Sequence, residues 1–289
     1  MAKLLRAAPV VEELTGRIVA RVQELADVGT SVCLAIVRVG ESGAELSYER
    51  SVLAKARTIG IKVKRFVLPK ECGQNELMDA IAQINADPAI HGCLMLRPLP
   101  DGLSERQACE ALDPQKDVDG ITMRSLAGVF TGRSEGFSPC TAEAVMYLLH
   151  YYGYKLSGAD VTVVGRSLVA GRPVAMMLQA ADATVTVCHS KTPHLSEHLR
   201  SADFLVVATG HAGLVGASSV RPDQVVVDVG TNWDEVKARL VGDVAYDEVE
   251  PVVAALTPVP GGIGAVTTAI LIKHVVESAC RASGDGKAI

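Results

Sequence analysis

The chain has no C-x-x-C pair: its seven cysteines (33, 72, 93, 109, 140, 188 and 280) are odd in number and scattered. Neither a disulfide framework nor a zinc site is suggested, and they read as small buried residues of a reducing compartment. Positive charge is also short. With 28 Lys and Arg against 33 Asp and Glu the formal net charge is −5, which argues against a general nucleic-acid or anionic-membrane surface and makes any anion site a local one. No apolar run approaches membrane-spanning length. The N-terminal segment places Glu12, Glu13, Arg17 and Arg21 at helical spacing, without the uninterrupted apolar core of a signal peptide. The expectation is a cytoplasmic protein with no metal, no membrane contact and no nucleic-acid partner. Missing as well are a Gly-, Pro- or Ser-rich linker, an internal repeat and a low-complexity tract.

What is present is a globular composition, with 48% hydrophobic and 21% charged residues over 289 positions, enough chain for two domains. Helical and strand patterns alternate. An amphipathic helix from about Pro9 to Val28 leads to a strand at Val32–Val39, a helix from about Ala44 to Ile59 and a strand at Lys62–Val67. A helix at Gln74–Ala86, a strand at Gly92–Leu96 and a helix around Glu105–Leu112 follow. After a helix at Thr141–Tyr152, whose Thr141 looks like a capped start, come strands at Val161–Val164, Thr184–Val187, Phe204–Ala208 and Val225–Val229. A last helix spans about Thr267–Ala282. Such alternation implies a parallel, helix-covered sheet. The expected fold is α/β, two α/β lobes with a cleft between them, the second lobe a Rossmann-type dinucleotide-binding domain. The boundary is set at Gly136–Thr141, where Pro139 breaks the pattern: residues 1–140, completed by the C-terminal helix at 267–289, form one lobe, and 141–266 the other.

The most informative stretch is Val161–Pro173, VTVVGRSLVAGRP. A β-branched strand runs into a turn bracketed by Gly165 and Gly171, and a helix is expected from near Leu168. Glycines there let backbone N–H groups approach a pyrophosphate at the positive end of the helix. The spacing is not G-x-G-x-x-G, because Ser167 and Ala170 interrupt it. Specificity is read from the next strand. NAD-selective sites place an acidic residue at its end, whereas His189, Ser190 and Lys191 stand here, with Arg166 near enough to swing over from the first turn; NADP is therefore favoured. The alternative is a βαβ unit whose glycines serve packing alone.

Three further segments carry polar or side-chain-poor chemistry. Lys116–Gly120, KDVDG, sets Asp117 and Asp119 two residues apart, so that in an extended loop one faces a ligand and the other supports the loop; a plain turn with Asx-type hydrogen bonds is the competing reading. Thr257–Gly264, TPVPGGIG, is a rigid loop on which a flat ring can lie, or simply a corner before the last helix. Asp228–Asn232, DVGTN, ends a strand at the edge where open α/β sheets bind ligands.

Taken in order, SYERSVLAK (47–55), LRPLP (96–100), KDVDG (116–120), PCT (139–141), GRSLVAGRP (165–173), CHSKT (188–192), DVGTN (228–232), GDV (242–244) and TPVPGGIG (257–264) closely resemble the methylenetetrahydrofolate dehydrogenase/cyclohydrolase family. The resemblance covers nearly the whole chain from about Ala35. It implies a homodimer of one-carbon metabolism acting on tetrahydrofolate derivatives, with NADP as cofactor. By position it assigns cofactor contacts to Gly165, Arg166, Ser167, Ser190 and Thr231, the last standing where the family commonly has Ile. Tyr48 matches the aromatic residue that packs on the folate, and Asp119 the carboxylate that holds the pterin. Pro260, Gly261 and Gly262 match the substrate loop.

Two catalytic positions depart from the pattern. The family pairs its Tyr with a Lys in Y-x-x-x-K, but counting from Tyr48 gives Val52. Aligning the prolines of the family's V-Q-L-P-L-P puts Leu96 at the Gln position and Arg97 at the following Leu. Lys55, at i+7 from Tyr48, lies about 10 Å along the helix, and Arg97 is expected to point away from the face of Leu96 unless the bend at Pro98 turns it. Oxidation of methylenetetrahydrofolate moves a hydride and no proton, so positioning supplies much of it. Hydrolysis of the methenyl cation needs an activated water, which Val and Leu cannot provide. The expectation is an NADP-dependent methylenetetrahydrofolate dehydrogenase with weak or absent cyclohydrolase activity. Left open are a bifunctional enzyme in which Lys55 or Arg97 compensates, a relative using another flat or acidic substrate, and an NADP-binding paralogue without activity.

Overall fold

A computed structural model of the chain describes residues 1–133, 135–236, 238–285 and 289. In chain order its elements begin with β1 (Lys3–Leu4), α1 (Ala7–Asp27), β2 (Cys33–Val39), α2 (Gly43–Ile59), β3 (Lys62–Leu68), α3 (Gln74–Ala86), β4 (Gly92–Met95), α4 (Glu105–Ala111), α5 (Met123–Thr131) and α6 (Cys140–Tyr151). They continue with β5 (Asp160–Val164), α7 (Gly171–Ala180), β6 (Thr184–Cys188), α8 (Leu195–Ser201), β7 (Phe204–Val207), β8 (Val225–Asp228), β9 (Asn232–Asp234), β10 (Arg239–Val241), α9 (Tyr246–Val249), β11 (Ala255–Leu256) and α10 (Ile263–Ala282).

The chain divides into two units. One comprises Glu13–Gly128, Arg133–Ser138 and Thr268–Ile289, the other Met1–Glu12, Val129–Gly132 and Pro139–Thr267. The expected lobes differ from this at the N-terminus, at Val129–Gly132 and by two residues at Pro139. Met1–Glu12 groups with the later part of the chain because β1 pairs in parallel with β11, Lys3 opposite Ala255 and Leu4 opposite Leu256, a pairing of two-residue strands too short to leave a pattern in the sequence. Positions 286–288 of the expected C-terminal helix lie outside the described residues.

In the first of these units three parallel strands run in the order β3-β2-β4. The central strand β2, CLAIVRV, is buried almost throughout, as a strand covered on both faces must be, while edge strand β3 is mostly exposed. Ala35, Val37, Cys93 and Met95 meet Leu77, Ile81 and Ile84 of α3 and Ala108 of α4 in one apolar cluster. Helix α2 is delimited by local chemistry. The Ser42 hydroxyl accepts from the Glu45 N–H at its start, and Gly60 ends it at φ +86°, its N–H reaching the Ala56 and Arg57 carbonyls.

The other unit holds a six-stranded sheet in the order β1-β11-β8-β7-β5-β6, with every neighbouring pair parallel. From β5 the chain moves outward to edge strand β6 and then returns to β7 on the opposite side of β5. Strand order reverses there, so the carboxyl end of β5 is the switch point at which open α/β sheets hold ligands. Strands β9 and β10 form a separate antiparallel hairpin.

Three boundaries shift from expectation. Helix α7 starts at Gly171 rather than near Leu168, because the Ser167 hydroxyl takes the Ala170 N–H and the Ser167 carbonyl takes that of Arg172, which keeps residues 168–170 in a turn. Helix α6 is entered from Pro139, whose carbonyl accepts from Glu143 N–H, and Thr141 is inside it rather than capping it. Helix α10 begins at Ile263, so Gly264 belongs to it. By length and composition α10 is apolar enough to cross a membrane, yet 72% of that window is buried within the fold, as in a core helix. The missed elements α5, α8, α9 and the hairpin are short, where periodicity has little to act on.

Candidate active site

In the three-stranded unit, α2 turns one stripe inward: Glu49, Val52, Ala56 and Ile59 are all buried, at the i, i+3, i+7, i+10 spacing of one helical face. Val52 has no exposed surface. The buried Glu49 carboxylate binds the Arg38 guanidinium of β2 at 2.8 Å and that of Arg65 on β3 at 2.6 Å, which pins α2 to two strands. Tyr48 and Lys55, half-buried, flank this stripe. The Lys55 ammonium donates to the Thr15 hydroxyl of α1 at 2.7 Å, and burial pulls its pKa below the usual lysine range.

Leu96 continues β4 by donating its N–H to the Val37 carbonyl, and its side chain is buried. Arg97 lies on the more open side. Its Nη1 bonds Glu105 Oε1 at 3.0 Å and its Nη2 stands 3.8 Å from Asp119 Oδ2. Asp119 is presented by a loop that is itself held firmly. Asp117, fully buried, accepts from Ile121 and Thr122 N–H and from the Ser125 hydroxyl at 2.6 Å. Cys93 N–H donates to the Lys116 carbonyl at 2.7 Å, and His274 Nδ1 to that of Val118 at 2.9 Å. Asp117 is thus the supporting member of the carboxylate pair and Asp119 the presented one. The structure brings Arg97, Glu105 and Asp119 together, whereas Lys55 is engaged with α1.

In the six-stranded unit, Gly165 follows β5 at φ +123°, and a Cβ on it would strike the Ala208 carbonyl oxygen. A Cβ on Gly171 would strike the Gly165 carbonyl. Both glycines therefore allow backbone to approach backbone at the switch point. Arg166 and Ser167 are exposed beside them. After β6, His189 N–H bonds the Thr192 hydroxyl and His189 Nδ1 accepts from Lys191 N–H, a closed turn that leaves Ser190 and Lys191 exposed. A cradle emptied of side chains next to cations and hydroxyl donors fits a dinucleotide carrying an extra phosphate.

Two buried carboxylates organise the same sheet edge. Asp243 accepts from the Thr209 hydroxyl, Gly210 N–H and Asn232 Nδ2, each at 2.9 Å, and from Thr209 N–H. Asp228 accepts from Gly230, Asp243 and Val244 N–H at 2.9–3.0 Å. Burial, only partly offset by these donors, pushes the Asp228 carboxyl up to about 7. Thr231 is exposed beside them, and the Thr257 hydroxyl ties the TPVPGGIG loop to Asp228 through that residue's N–H. Pro260 and Gly261 are exposed on the loop, while Gly262 is buried, its position closed to a Cβ by the Pro258 carbonyl. Among the described residues no group of three or more His, Cys, Asp or Glu is placed to hold a metal ion. The seven cysteines are free thiols, six of them buried.

Residues 5–119 match the family model for the catalytic domain of tetrahydrofolate dehydrogenase/cyclohydrolase, and residues 139–283 that for its NAD(P)-binding domain. The chain belongs to the tetrahydrofolate dehydrogenase/cyclohydrolase family. It is 43% identical to the bifunctional protein FolD of Carboxydothermus hydrogenoformans over 96% of this chain and 97% of that protein. The corresponding protein of Clostridioides difficile is 42% identical, with 96% of each covered. Among solved structures, bifunctional FolD from Campylobacter jejuni superposes with a TM-score of 0.95 at 37% identity, covering 97% of this chain and 99% of that one. The Trypanosoma brucei enzyme, solved with NADP cofactor and an inhibitor, gives 0.92 at 32% identity with 98% of each covered. The α/β architecture and the nucleotide-binding half of this chain are those of the family.

Sequence reasoning missed Glu105, Thr209 and the Arg38–Glu49–Arg65 cluster. Arg38 inside an otherwise apolar strand was the one signal that pointed to a buried partner. Asp243 was visible only as part of the GDV motif, with no role attached.

Proposed function

We propose that the protein is an NADP-dependent methylenetetrahydrofolate dehydrogenase in which the family's cyclohydrolase step is weak or absent. The observation that carries this reading is the burial of two apolar side chains, Val52 and Leu96, at the positions of the family's polar pair. In the three-stranded unit, Asp119 accepts the ring N–H and amino group of the pterin and Tyr48 packs on its face, which fixes the orientation of the one-carbon bridge. In the six-stranded unit, Gly165 and the α7 entry take the pyrophosphate, Arg166, Ser167, Ser190 and Lys191 the 2′-phosphate, and Thr231 lines the remaining nucleotide surface, while Pro260, Gly261 and Gly262 form the substrate loop. NADP, when bound, supplies the hydride acceptor. The cation left on the folate is delocalised over two nitrogens, so hydride loss asks for positioning and no base.

Hydrolysis of that cation is another matter, because attacking water must lose a proton. Val52 and Leu96 have no atom to receive one. Arg97 is a guanidinium, a donor only, bound to Glu105 and facing Asp119. One observation favours a second reading with hydrolysis retained: the Lys55 amine is half-buried and burial lowers its pKa, the direction that suits a general base. A cytoplasmic homodimer acting on free tetrahydrofolate derivatives completes the proposal, on the resemblance to the family.

Separate assays decide. Purified protein should reduce NADP with methylenetetrahydrofolate and accumulate methenyltetrahydrofolate. Methenyl hydrolysis well above the buffer rate overturns the assignment. A Val52→Lys, Leu96→Gln double variant that gains hydrolysis supports the two positions.

A further inference from the structure

The pairing of Arg97 with Asp119 sets a donor beside an acceptor on one partly open surface. Arg97 is gripped at Nη1 by Glu105, the first residue of α4, whose own start is fixed by the Ser104 hydroxyl accepting from Gln107 N–H. Its other terminal nitrogen faces Asp119 Oδ2 at 3.8 Å, beyond good hydrogen-bond distance. The guanidinium therefore stands next to the Asp119 carboxylate without closing on it. The two side chains are about equally open, at 20% and 22% exposure.

A 2-amino-4-oxopteridine carries along one edge an amino group, a ring N–H and a carbonyl oxygen in sequence. A carboxylate accepts from the first two, and the neighbouring oxygen needs a donor. We propose that Arg97 is a specificity-determining residue, held by Glu105 beside Asp119 so that its guanidinium donates to the 4-oxo oxygen of the pteridine that Asp119 anchors. This rests on the folate reading of Asp119 given above. Replacing that oxygen by an amino group turns an acceptor into a donor set against a guanidinium that has only donors, and takes the proton from the adjacent ring nitrogen, so that Asp119 loses one donor as well. Such a site rejects the analogue because a charged group is left facing a group it cannot bond.

The test compares folic acid, a 4-oxo compound, with aminopterin, its 4-amino counterpart, by isothermal titration on the full chain. Wild-type protein should bind folic acid roughly tenfold or more tightly than aminopterin, the discrimination of one charge-assisted hydrogen bond. Arg97→Leu, placing an apolar side chain there, should lower that preference roughly tenfold, leaving the part that Asp119 contributes through the ring N–H. Glu105→Gln should give an intermediate preference, and Asp119→Asn should weaken both ligands together. A thermal melt close to wild type certifies that each variant is folded; should Arg97→Leu unfold, Arg97→Lys and Glu105→Gln carry the comparison. An Arg97→Leu protein that keeps the full preference overturns the role of Arg97 while leaving the folate reading intact. Wild-type protein that binds neither compound overturns the folate reading and this inference with it.

Discussion

The Lys55 ammonium donates to the Thr15 hydroxyl at 2.7 Å, joining the helix that carries Tyr48 and Val52 to α1. Lys55 is thereby held to another helix in the three-stranded unit instead of lying loose one turn beyond Val52. Replacing it by Met removes one part-buried hydrogen bond and should lower stability by about 1 kcal/mol. Dehydrogenase turnover should stay within about twofold of wild type, since no step of hydride loss uses the amine. Stopped assays of both half-reactions on Lys55→Met check this, and a specific loss of methenyl hydrolysis would identify Lys55 as the base.

Glu49 and Arg38 are an ion pair whose side chains are 3% and 4% exposed. Removing Glu49 leaves the buried Arg38 guanidinium with only the exposed Glu41 carboxylate at 3.5 Å and the Gly40 carbonyl, so Glu49→Leu should destabilise the protein by about 3 kcal/mol. The Arg38→Met, Glu49→Leu double variant should recover most of that, because two apolar side chains then fill the space. Urea unfolding of the two variants measures the difference.

Ser190 and Lys191 are exposed on the turn after β6, whose residues His189–Thr192 include no Asp or Glu to take a ribose hydroxyl pair. A Ser190→Ala, Lys191→Ala variant should raise the KM for NADP by about tenfold or more, the loss of charge-assisted contacts to a phosphate. The KM for NAD should change by less than about twofold, since NAD has no phosphate at that place. Initial rates with each nucleotide give the ratio, and an equal change in both would remove these residues from the 2′-phosphate site.

The Asp228 carboxyl titrates near 7 in the folded chain against 3.8 for an exposed aspartate. Between those values the folded state binds more protons than the unfolded chain, so this group's contribution to stability falls as pH rises from about 4 to about 7 and is flat outside that window. Burial is the main cause, outweighing the backbone donors. The thermal midpoint of wild type relative to Asp228→Asn should therefore decline from pH 5 to pH 8. A difference that is constant across the range would place the pKa elsewhere.

Most of the longer strands and helices were legible along the chain because each obeys a local rule, whereas the nine-residue α5 and the seven-residue α8 were not. The run Cys33–Val39 is apolar on both faces and became the central strand of its sheet, and α2 begins and ends at Ser42 and Gly60, which have the chemistry of caps. Where α7 begins was not legible: it depends on Gly171 lying against the Gly165 carbonyl and on where the Ser167 hydroxyl finds a donor. The pairing of β1 with β11 joins residues some 250 positions apart, and nothing local in two residues marks it.

By itself the sequence determined the family, the alternating architecture, the glycine-bearing nucleotide turn and the substitution of Val52 and Leu96 for a polar pair, since each is written in residue type and spacing. Tertiary structure alone decided what the neighbouring charges do. Lys55 and Arg97 were equal candidates on paper, yet one is bound to Thr15 and the other stands between Glu105 and Asp119. The physical reason is that a long cationic side chain goes wherever acceptors from other segments converge, and that convergence exists only once the chain is folded.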